Sequence, residues 1–176
     1  MTETHHDLID AIRDVPDFPK KGILFKDITP LLARGDLFRK GIDEFAAYYQ
    51  DKKIEKIVGI ESRGFIFGSA LAYKLGAGLV PVRKKGKLPH TTVSASYQLE
   101  YGTDTLEMHA DALNSGGARV LIVDDLLATG GTAKATAELV EKVGGKIIGC
   151  AFLIELLFLK GRDNLKNLDI HSLIQY

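Results

Sequence analysis

The 176-residue chain is predicted to have an α/β fold, a Rossmann-like and mostly parallel sheet flanked by helices. Short apolar runs rich in β-branched residues alternate with segments of helical spacing, the usual pattern of a parallel sheet with crossover helices. One run, Val120–Val123, is apolar throughout, as expected of a strand buried on both faces. The length suits one well-cored domain and is short for two, so we expect residues 1–176 to form a single domain.

The elements are expected in the following order along the chain. Helical spacing predicts a short helix at Leu8–Ile12 that ends before Val15-Pro16, a helix at Leu37–Tyr49, another at Phe65–Leu75, and one from Thr132 to about Val143. Apolar or alternating runs predict strands at Ile23–Phe25, Lys56–Ile60, Leu79–Val82, Val120–Val123 and Lys146–Leu157, two β-type runs between 91 and 110, and an edge strand at Leu168–Tyr176. Prolines and a glycine predict an extended loop for the rest of 17–30.

Charge and cysteine usage narrow the class of protein. Twenty-three basic residues balance 23 acidic ones, whereas a nucleic-acid binder normally shows a basic excess, so no nucleic-acid partner is expected. The only cysteine, Cys150, lies in an apolar run, which excludes a disulfide framework or a zinc cluster. The first residues lack the pattern of a secretory signal, and no apolar run approaches the ~20 residues of a membrane span. We therefore expect a cytoplasmic protein with no membrane partner.

The stretch from Val120 to Thr132 combines groups that suit a phosphorylated sugar. Two carboxylates follow the apolar run where the strand is expected to leave the sheet, and adjacent carboxylates accept well from the vicinal hydroxyls of a ribose. Glycines then let the backbone approach a ligand, and the N-terminus of the next helix attracts an anion. An ordinary strand–turn–helix does not need this combination. The residues predicted to bind a ribose 5′-phosphate are Asp124, Asp125, Ala128, Thr129, Gly130, Gly131 and Thr132.

Two further segments follow predicted strands and carry positive charge. Glu61-Ser62-Arg63-Gly64 opens a helix, and Arg83, Lys84 and Lys87 follow the next strand. Ligands of open α/β sheets bind beyond the carboxyl ends of the strands, where both segments are expected. Taken alone, the Arg83–Lys87 segment is typical of a solvated basic loop. Its place after a strand favours binding of an anion with several oxygens, such as pyrophosphate.

Several separated segments together resemble the adenine phosphoribosyltransferases, a family of type I phosphoribosyltransferases. The order apolar strand, two acids, two spacer residues, a small residue and Thr-Gly-Gly-Thr is similar to their phosphoribosyl pyrophosphate (PRPP) signature. The other similar segments are Gly22–Pro30, Glu61–Phe65, Pro81–Lys84 with Lys87–Pro89, Tyr97–Gly102 and Glu155–Leu156. They follow the family's order over most of the chain. Glu61 stands where the family often has Asp, and Lys26 stands where some relatives have Arg.

The resemblance implies a purine salvage enzyme, a glycosyltransferase that converts adenine and PRPP to AMP and pyrophosphate with Mg²⁺ and with inversion at C1′. Mg²⁺ is implied to be carried mainly by the substrate pyrophosphate, not by protein ligands. A homodimer is also implied, with Phe65 and Phe67 as candidates for the subunit contact. About residues 1–35 would form a small base-binding hood, and about residues 84–106 a flexible loop that closes over the site.

The resemblance also assigns roles to individual residues. Adenine would be held by Leu24, Phe25, Lys26 and Leu156. Pyrophosphate would be held by Glu61, Ser62, Arg63, Arg83, Lys87 and Tyr101, in a loop whose Glu61–Ser62 peptide is cis in relatives. The implied catalytic residues are Glu100 as general base together with Arg63, Asp124 and Asp125.

Other functions are weaker matches to the sequence. Enzymes of the superfamily that act on xanthine, guanine or orotate recognise the base differently, and Gly22–Pro30 with Glu100-Tyr101 favours adenine. A regulatory protein that senses PRPP would need a nucleic-acid-binding segment, which the neutral charge disfavours. A P-loop nucleotidase is excluded because Gly-x-x-x-x-Gly-Lys-Ser/Thr does not occur. His109 is predicted to be structural, and His5 and His6 lack a carboxylate partner at metal-ligand spacing.

Overall fold

The structure is a computed structural model that describes residues 5–98, 103–113 and 116–176. Its helices are α1 (His6–Asp10), α2 (Thr29–Leu32), α3 (Gly35–Tyr49), α4 (Gly64–Leu75) and α5 (Gly131–Lys142). Its strands are β1 (Arg13–Pro16), β2 (Leu24–Asp27), β3 (Lys56–Ile60), β4 (Gly78–Lys84), β5 (Thr92–Gln98), β6 (Thr103–His109), β7 (Arg119–Leu127), β8 (Lys146–Glu155) and β9 (Ile170–Gln175). Short 3₁₀ helices occupy Gln50–Lys52, Leu157–Leu159 and Gly161–Asn164.

Seven strands form one sheet in the order β5-β6-β4-β3-β7-β8-β9. The five strands from β4 to β9 are mutually parallel, and β6 and β5 extend this sheet as an antiparallel ribbon beside β4. Strand β9 lies at the outer edge, as predicted for the C-terminal segment. The predicted α/β architecture is therefore confirmed, and the carboxyl ends of the parallel strands meet at one edge of the sheet.

Strand β7 lies at the centre of two apolar cores, one on each face of the sheet. Val123 belongs to the core that includes Phe67 of α4, whereas Ile122 belongs to the core that includes Leu139 of α5. All four residues of Val120–Val123 are fully buried, which confirms the prediction of two-sided burial. The two cores hold the end of this strand, and the acids that follow, in a fixed position.

The acids that follow Val123 lie within β7, not beyond it. The predicted strand ended at Val123, but β7 continues to Leu127 because it keeps its pairing with β8, as in Asp124 with Phe152 and Leu127 with Glu155. On its other side, the pairing with β3 ends at Val123. Both acids therefore project from a strand that is supported on one side and open on the other.

The N-terminal segment contains a two-stranded antiparallel sheet that was only partly predicted. Strand β2 begins one residue later than expected, and its partner β1 was not predicted. The sequence of β1, Arg-Asp-Val-Pro, lacks an alternating pattern, and the strand is matched instead by opposite charges across the pair. Lys26 Nζ lies 2.6 Å from Asp14 Oδ1, and Arg13 Nη1 lies 3.6 Å from Asp27 Oδ2. Helix α1 ends before the predicted limit, and the short α2 was also missed.

Helix α4 turns its two phenylalanines to different environments. Phe67 is fully buried and packs edge-to-face on Phe38, with 5.6 Å between ring centroids. The prediction that Phe67 serves a subunit contact is therefore wrong, because the helix turns this position into the core. Phe65 is only partly buried. Across the described ranges, no helix combines the length and the apolar character needed to cross a membrane.

Candidate active site

Three segments meet at the carboxyl edge of the sheet and enclose a cleft of about 360 Å³. They are the loop after β3, the end of β4, and the end of β7 with the loop that follows. Residues of the predicted site that line this cleft are Glu61, Ser62, Arg63, Asp124, Asp125 and Thr132. Lys84, Tyr97, Leu106 and Leu126 complete the lining. Segments 60 residues apart in sequence thus share one cleft, as the parallel topology requires.

Asp125 is paired with Arg63 at the centre of the cleft. Asp125 is only 3% exposed, and its Oδ2 lies 2.7 Å from Nε of Arg63. The alignment is not that of a hydrogen bond, so this oxygen has no hydrogen-bond partner among the described residues. The guanidinium carbon of Arg63 also lies 5.1 Å from the centroid of the Phe25 ring. Arg63 therefore lies between the acid pair and Phe25, the aromatic side chain that the resemblance places against adenine.

The two adjacent carboxyl groups affect each other's protonation. The backbone N–H of Asp125 donates to Oδ1 of Asp124 over 2.9 Å. Burial and the neighbouring carboxylate raise the pKa of Asp124 well above its ordinary value. Burial also raises the pKa of Asp125, although the charge of Arg63 opposes the shift. Positive charge brought into the cleft would favour the ionised form of both groups.

Gly64 allows the loop after β3 to lie against the acid pair. A Cβ atom at this position would lie 2.8 Å from Oδ1 of Asp124 and 2.8 Å from the carbonyl oxygen of Val123. Only glycine permits this approach without displacing β7. The peptide bond between Glu61 and Ser62 is cis, as the resemblance implied. Gly64 was not assigned a role from the sequence, although its place at the start of a helix was noted.

The basic segment at the end of β4 is paired with Glu61. Lys87 Nζ donates to Oε1 of Glu61, the backbone N–H of Lys84 donates to Oε2 over 2.9 Å, and Nε of Arg83 lies 3.4 Å from Oε2. Burial raises the pKa of Glu61, but these hydrogen bonds outweigh it and hold the pKa below its ordinary value. Two of the cations predicted to bind pyrophosphate, Arg83 and Lys87, are thus gathered around one carboxylate.

The loop from Ala128 to Gly131 forms a small cradle at the start of α5. It encloses a cavity of about 70 Å³ together with Asp124 and Thr132. Gly130, the N-cap residue of α5, adopts a φ of +83° and, having no side chain, makes no side-chain capping hydrogen bond. The backbone N–H groups of this turn remain available to an anion. A larger cavity of about 540 Å³ adjoins the same loop on the side of Tyr97.

Two residues that the sequence did not single out hold this loop in place. The side-chain amide of Asn164 donates to the carbonyl oxygen of Thr129 over 2.8 Å. A Cβ atom on Gly161 would lie 2.3 Å from the carbonyl oxygen of Ala128, and one on Gly130 would lie 2.4 Å from that of Gly161. The 3₁₀ helix Gly161–Asn164 therefore packs backbone to backbone against the loop. An isolated glycine in a polar stretch was the only sequence signal.

An ion pair between buried Glu155 and exposed Arg162 ties this 3₁₀ helix to the end of β8. Glu155 is 2% exposed, and both of its oxygens accept from Arg162, over 2.6 Å each. Ser172 of β9 donates to the same carboxylate over 2.6 Å. These hydrogen bonds hold the pKa of Glu155 below its ordinary value, although burial alone would raise it. The end of β8 is thereby fixed to the segment that holds the loop.

The residues predicted to bind adenine are only partly brought together. Phe25 lies beside Arg63 and packs edge-to-face on Phe18, 5.1 Å between centroids. Leu24 is half exposed, and Leu156 follows β8, with its N–H bonded to the carbonyl of Leu127. The amine of Lys26 is engaged elsewhere, 2.6 Å from Asp14 and 3.6 Å from the centroid of the Tyr176 ring.

Part of the predicted closing loop can be described. Within the predicted range 84–106, residues 92–98 form β5 and 103–106 begin β6, and the two strands pair in register. Glu100 and Tyr101, predicted as general base and as a pyrophosphate contact, lie outside the described residues. Within the described ranges, no group of three or more His, Cys, Asp or Glu side chains is placed to hold a metal ion.

Comparison with known proteins gives consistent results over nearly the whole chain. The family model of the phosphoribosyl transferase domain matches residues 31–170. The adenine phosphoribosyltransferase of Syntrophotalea carbinolica is 58% identical over 170 residues, which cover 97% of this chain and 99% of the relative. The crystal structure of the Rhodothermus marinus adenine phosphoribosyltransferase is similar with a TM-score of 0.93 and 57% identity, covering 97% of each chain.

A structure with bound ligands is also similar. The Saccharomyces cerevisiae adenine phosphoribosyltransferase, complexed with adenine and an imino-altritol bisphosphate, gives a TM-score of 0.91 and 45% identity, covering 96% of this chain and 97% of that one. A whole-length relative at this level of identity shares both fold and family. The chain therefore belongs to the phosphoribosyl transferase domain family and, within it, to the adenine phosphoribosyltransferases.

Proposed function

We propose that this chain is a purine salvage enzyme that converts adenine and PRPP to AMP and pyrophosphate. The observation that carries the proposal is the shared cleft, in which the acid pair of β7 lies beside Arg63 and Phe25 and is followed by the anion cradle at α5. Relatives that share more than half of the sequence bear the name of this activity. The related yeast enzyme was crystallised with adenine and a bisphosphate.

Each part of the substrate has a matching set of residues in this proposal. The ribose hydroxyls bind Asp124 and Asp125, and the 5′-phosphate binds the cradle formed by Ala128, Thr129, Gly130, Gly131 and Thr132. Pyrophosphate binds at the loop after β3 and at the cations at and after the end of β4, through the backbone of Glu61 and Ser62 and the side chains of Arg63, Arg83, Lys87 and Tyr101. Adenine lies between the half-exposed apolar residues of the N-terminal segment and β8, with the side chains of Leu24, Phe25 and Leu156 and the backbone of Lys26 around it.

The acid pair favours the charge that develops during the reaction. When the bond between C1′ and the pyrophosphate oxygen breaks, positive charge appears on the ribose ring. That charge favours the ionised forms of Asp124 and Asp125, whose pKa values are raised by burial, and the carboxylates in turn stabilise the cation. Adenine N9 attacks the opposite face of C1′, so the configuration inverts. Glu100 accepts the N9 proton, a contribution of typically ~10²–10⁴-fold.

Mg²⁺ is proposed to enter with the substrate. The donors that the described chain brings to the cleft are mainly cations, Arg63, Arg83 and Lys87, which suit pyrophosphate oxygens better than a metal ion. Three carboxylates line the cleft among the described residues: Glu61 is paired with Arg83 and Lys87, whereas Asp124 and Asp125 would favour a divalent cation held by the substrate. When bound, Mg²⁺ would supply further neutralisation of the leaving pyrophosphate.

A homodimer and a cytoplasmic location complete the proposal. Helix α4 presents Ile66 and Tyr73, 40% and 92% exposed, two turns apart on one face, and Leu79 of β4 is 41% exposed. A second copy of the chain would cover this face, with the partly buried Phe65 nearby. Tyr73→Glu should then convert a dimer to a monomer in light scattering. A wild-type chain that elutes as a monomer would contradict the dimer alone.

The activity is tested by comparing bases. The full-length protein is incubated with PRPP, Mg²⁺ and radiolabelled adenine, guanine or hypoxanthine, with a matched sample in excess chelator. AMP should form from adenine in the presence of Mg²⁺, and the other bases should react far more slowly. Equal rates with guanine would contradict the assignment of the base.

The role of Glu100 as general base is tested separately. Glu100→Gln should lower turnover with little change in substrate binding, and a variant with unchanged turnover would place the general base elsewhere.

A further inference from the structure

Glu61 occupies the centre of the group of cations predicted to receive pyrophosphate. Its side chain is 10% exposed and accepts from Lys87 Nζ and from the backbone N–H of Lys84, and its Oε2 lies 3.4 Å from Nε of Arg83. Among the residues that the structure describes, Glu61 is the acid that the ion pairs place with Arg83 and with Lys87. A single carboxylate thus pairs with two cations of the proposed anion site and accepts one backbone N–H beside them.

Two carboxylates in the cleft have different relations to the cations. Asp125 pairs with Arg63, which is 41% exposed and can still turn towards a ligand. Glu61 lies between two cations at once, so a pyrophosphate that binds Arg83 and Lys87 must share their positive charge with this carboxylate. The Nζ–H of Lys87 that donates to Glu61 in a charge-assisted hydrogen bond is not available to the phosphate while that contact persists. Part of the binding free energy of pyrophosphate is consumed by this competition.

We propose that Glu61 is a positioning residue that holds Arg83 and Lys87 in place in the empty site and competes with pyrophosphate for them. Its carboxylate keeps the cations ordered before substrate binds, and it reclaims them when pyrophosphate leaves. Pyrophosphate is therefore bound less tightly than two unopposed cations would bind it, and it is released more readily. The inference rests on the proposed function, since it assumes that pyrophosphate binds at these cations.

The test is the affinity of the full-length chain for inorganic pyrophosphate with Mg²⁺, measured by calorimetry for wild type and Glu61→Gln. Glutamine keeps the shape and one hydrogen-bond acceptor but removes the competing charge. The expected result is pyrophosphate binding about three- to tenfold tighter in Glu61→Gln, given the usual strength of partly exposed ion pairs. Glu61→Asp keeps the charge and should remain close to wild type. Ribose 5-phosphate, which lacks pyrophosphate, should bind all three proteins equally.

Glu107→Gln is the matched control for a general change of charge. Glu107 of β6 lies opposite Arg83 and accepts from the backbone N–H of Gly86, so its carboxylate contacts the turn between Arg83 and Lys87. Among the ion pairs of the described residues, Glu107 is not paired with either cation. Equal tightening in Glu107→Gln, or unchanged or weaker binding in Glu61→Gln, would overturn the inference. A wild-type chain that does not bind pyrophosphate would overturn it as well.

The titration needs neither adenine nor turnover, so it separates this inference from the proposed function. If the chain makes AMP but Glu61→Gln does not bind pyrophosphate more tightly, only the inferred role of Glu61 is contradicted. If Glu61→Gln binds pyrophosphate more tightly but the chain makes no AMP, only the proposed reaction is contradicted.

Discussion

Nε of Arg63 lies 2.7 Å from Oδ2 of Asp125, which ties the loop after β3 to the acid pair of β7. The arginine is 41% exposed while the carboxylate is almost fully buried, so the charge of Asp125 is compensated from the cleft side only. Any ligand that enters the cleft meets this pair. Its two members are therefore the most direct means of testing how the sugar is held.

Replacing Asp125 by asparagine should weaken PRPP binding with little loss of stability. The variant loses a charged acceptor for the ribose hydroxyls, worth about 1.5–3 kcal/mol, or roughly a 10- to 150-fold rise in Kd. Arg63 reaches solvent and does not become a buried unpaired charge. Calorimetry with PRPP measures the affinity, and thermal unfolding serves as the control for the fold. An unchanged Kd would mean that the hydroxyls bind elsewhere.

Replacing Asp124 by asparagine should change how stability depends on pH. Burial and Asp125 raise the pKa of Asp124 in the folded protein above its ordinary 3.8, so above that pH the folded chain binds more protons than the unfolded chain. The contribution of Asp124 to the free energy of unfolding therefore falls as the pH rises towards the folded-state pKa. Asp124→Asn lacks this titration. Its free energy of unfolding should therefore rise relative to that of wild type when both proteins are measured at about pH 8 instead of about pH 5.

The measurement is a pair of urea titrations for each protein, and Asp36→Asn provides the control. The hydrogen bond from Arg34 holds the pKa of the Asp36 carboxyl below its ordinary value, so this group is ionised at both pH values. The difference between wild type and Asp36→Asn should then stay constant. A constant difference for Asp124→Asn as well would show that the acid pair does not titrate as its burial requires.

Replacing Gly161 by alanine should disturb the anion cradle from a distance. The new Cβ would lie 2.3 Å from the carbonyl oxygen of Ala128, so either the loop or the 3₁₀ helix must shift, at a cost of about 1–3 kcal/mol. The Kd for ribose 5-phosphate should rise as the cradle opens. Gly144→Ala is the control, since its φ of +79° is strained for alanine but its nearest atom is 3.8 Å away. Equal effects on ribose 5-phosphate binding would deny Gly161 a role in the cradle.

Replacing Lys26 by glutamine separates the two possible contributions of this residue. The buried amine pairs with Asp14 and lies over the ring of Tyr176, so its loss should lower the free energy of unfolding by about 1–2 kcal/mol. The KM for adenine should change little, because the amine is not free to reach the base. Arg13→Gln removes the neighbouring, more exposed pair and should cost less. A large rise in the KM for adenine would show that the side chain leaves Asp14 to bind the base.

Two kinds of sequence pattern made the fold and the centre of the site predictable. They are the spacing of apolar residues and the consecutive acids and glycines after the strand. The uniform burial of Val120–Val123 follows from an apolar run that has no polar face to expose, and helix α3 buries the stripe expected from its spacing. The acids and glycines after that run are consecutive in sequence, so their proximity needs no tertiary information. The meeting of Arg63 with Asp125 followed from parallel topology, because strand ends share one edge.

Contacts that depend on the packing of distant backbone segments were not predictable. The approach of Gly161 to Ala128 arises only when the chain after β8 folds back over the loop after β7. The pairing of Lys26 with Asp14 requires β1, whose polar sequence carries no strand pattern and is specified by its partner. Phe67 is buried because of the face that α4 turns towards the sheet. The mostly apolar sequence of this helix does not indicate which face that is.

The ion pair between Glu155 and Arg162 has a consequence for altering base preference. Glu155 immediately precedes Leu156, on the side proposed for the base, and its partner Arg162 lies in the 3₁₀ helix that touches the phosphate cradle. The ten residues from Glu155 to Asn164 thus reach both the proposed adenine site and the cradle of the 5′-phosphate, the two ends of the product AMP. Enlarging the space beside Leu156 to admit a different purine would be expected to change the binding of the sugar phosphate as well. Variants selected for a new base should therefore be screened for PRPP affinity from the first round.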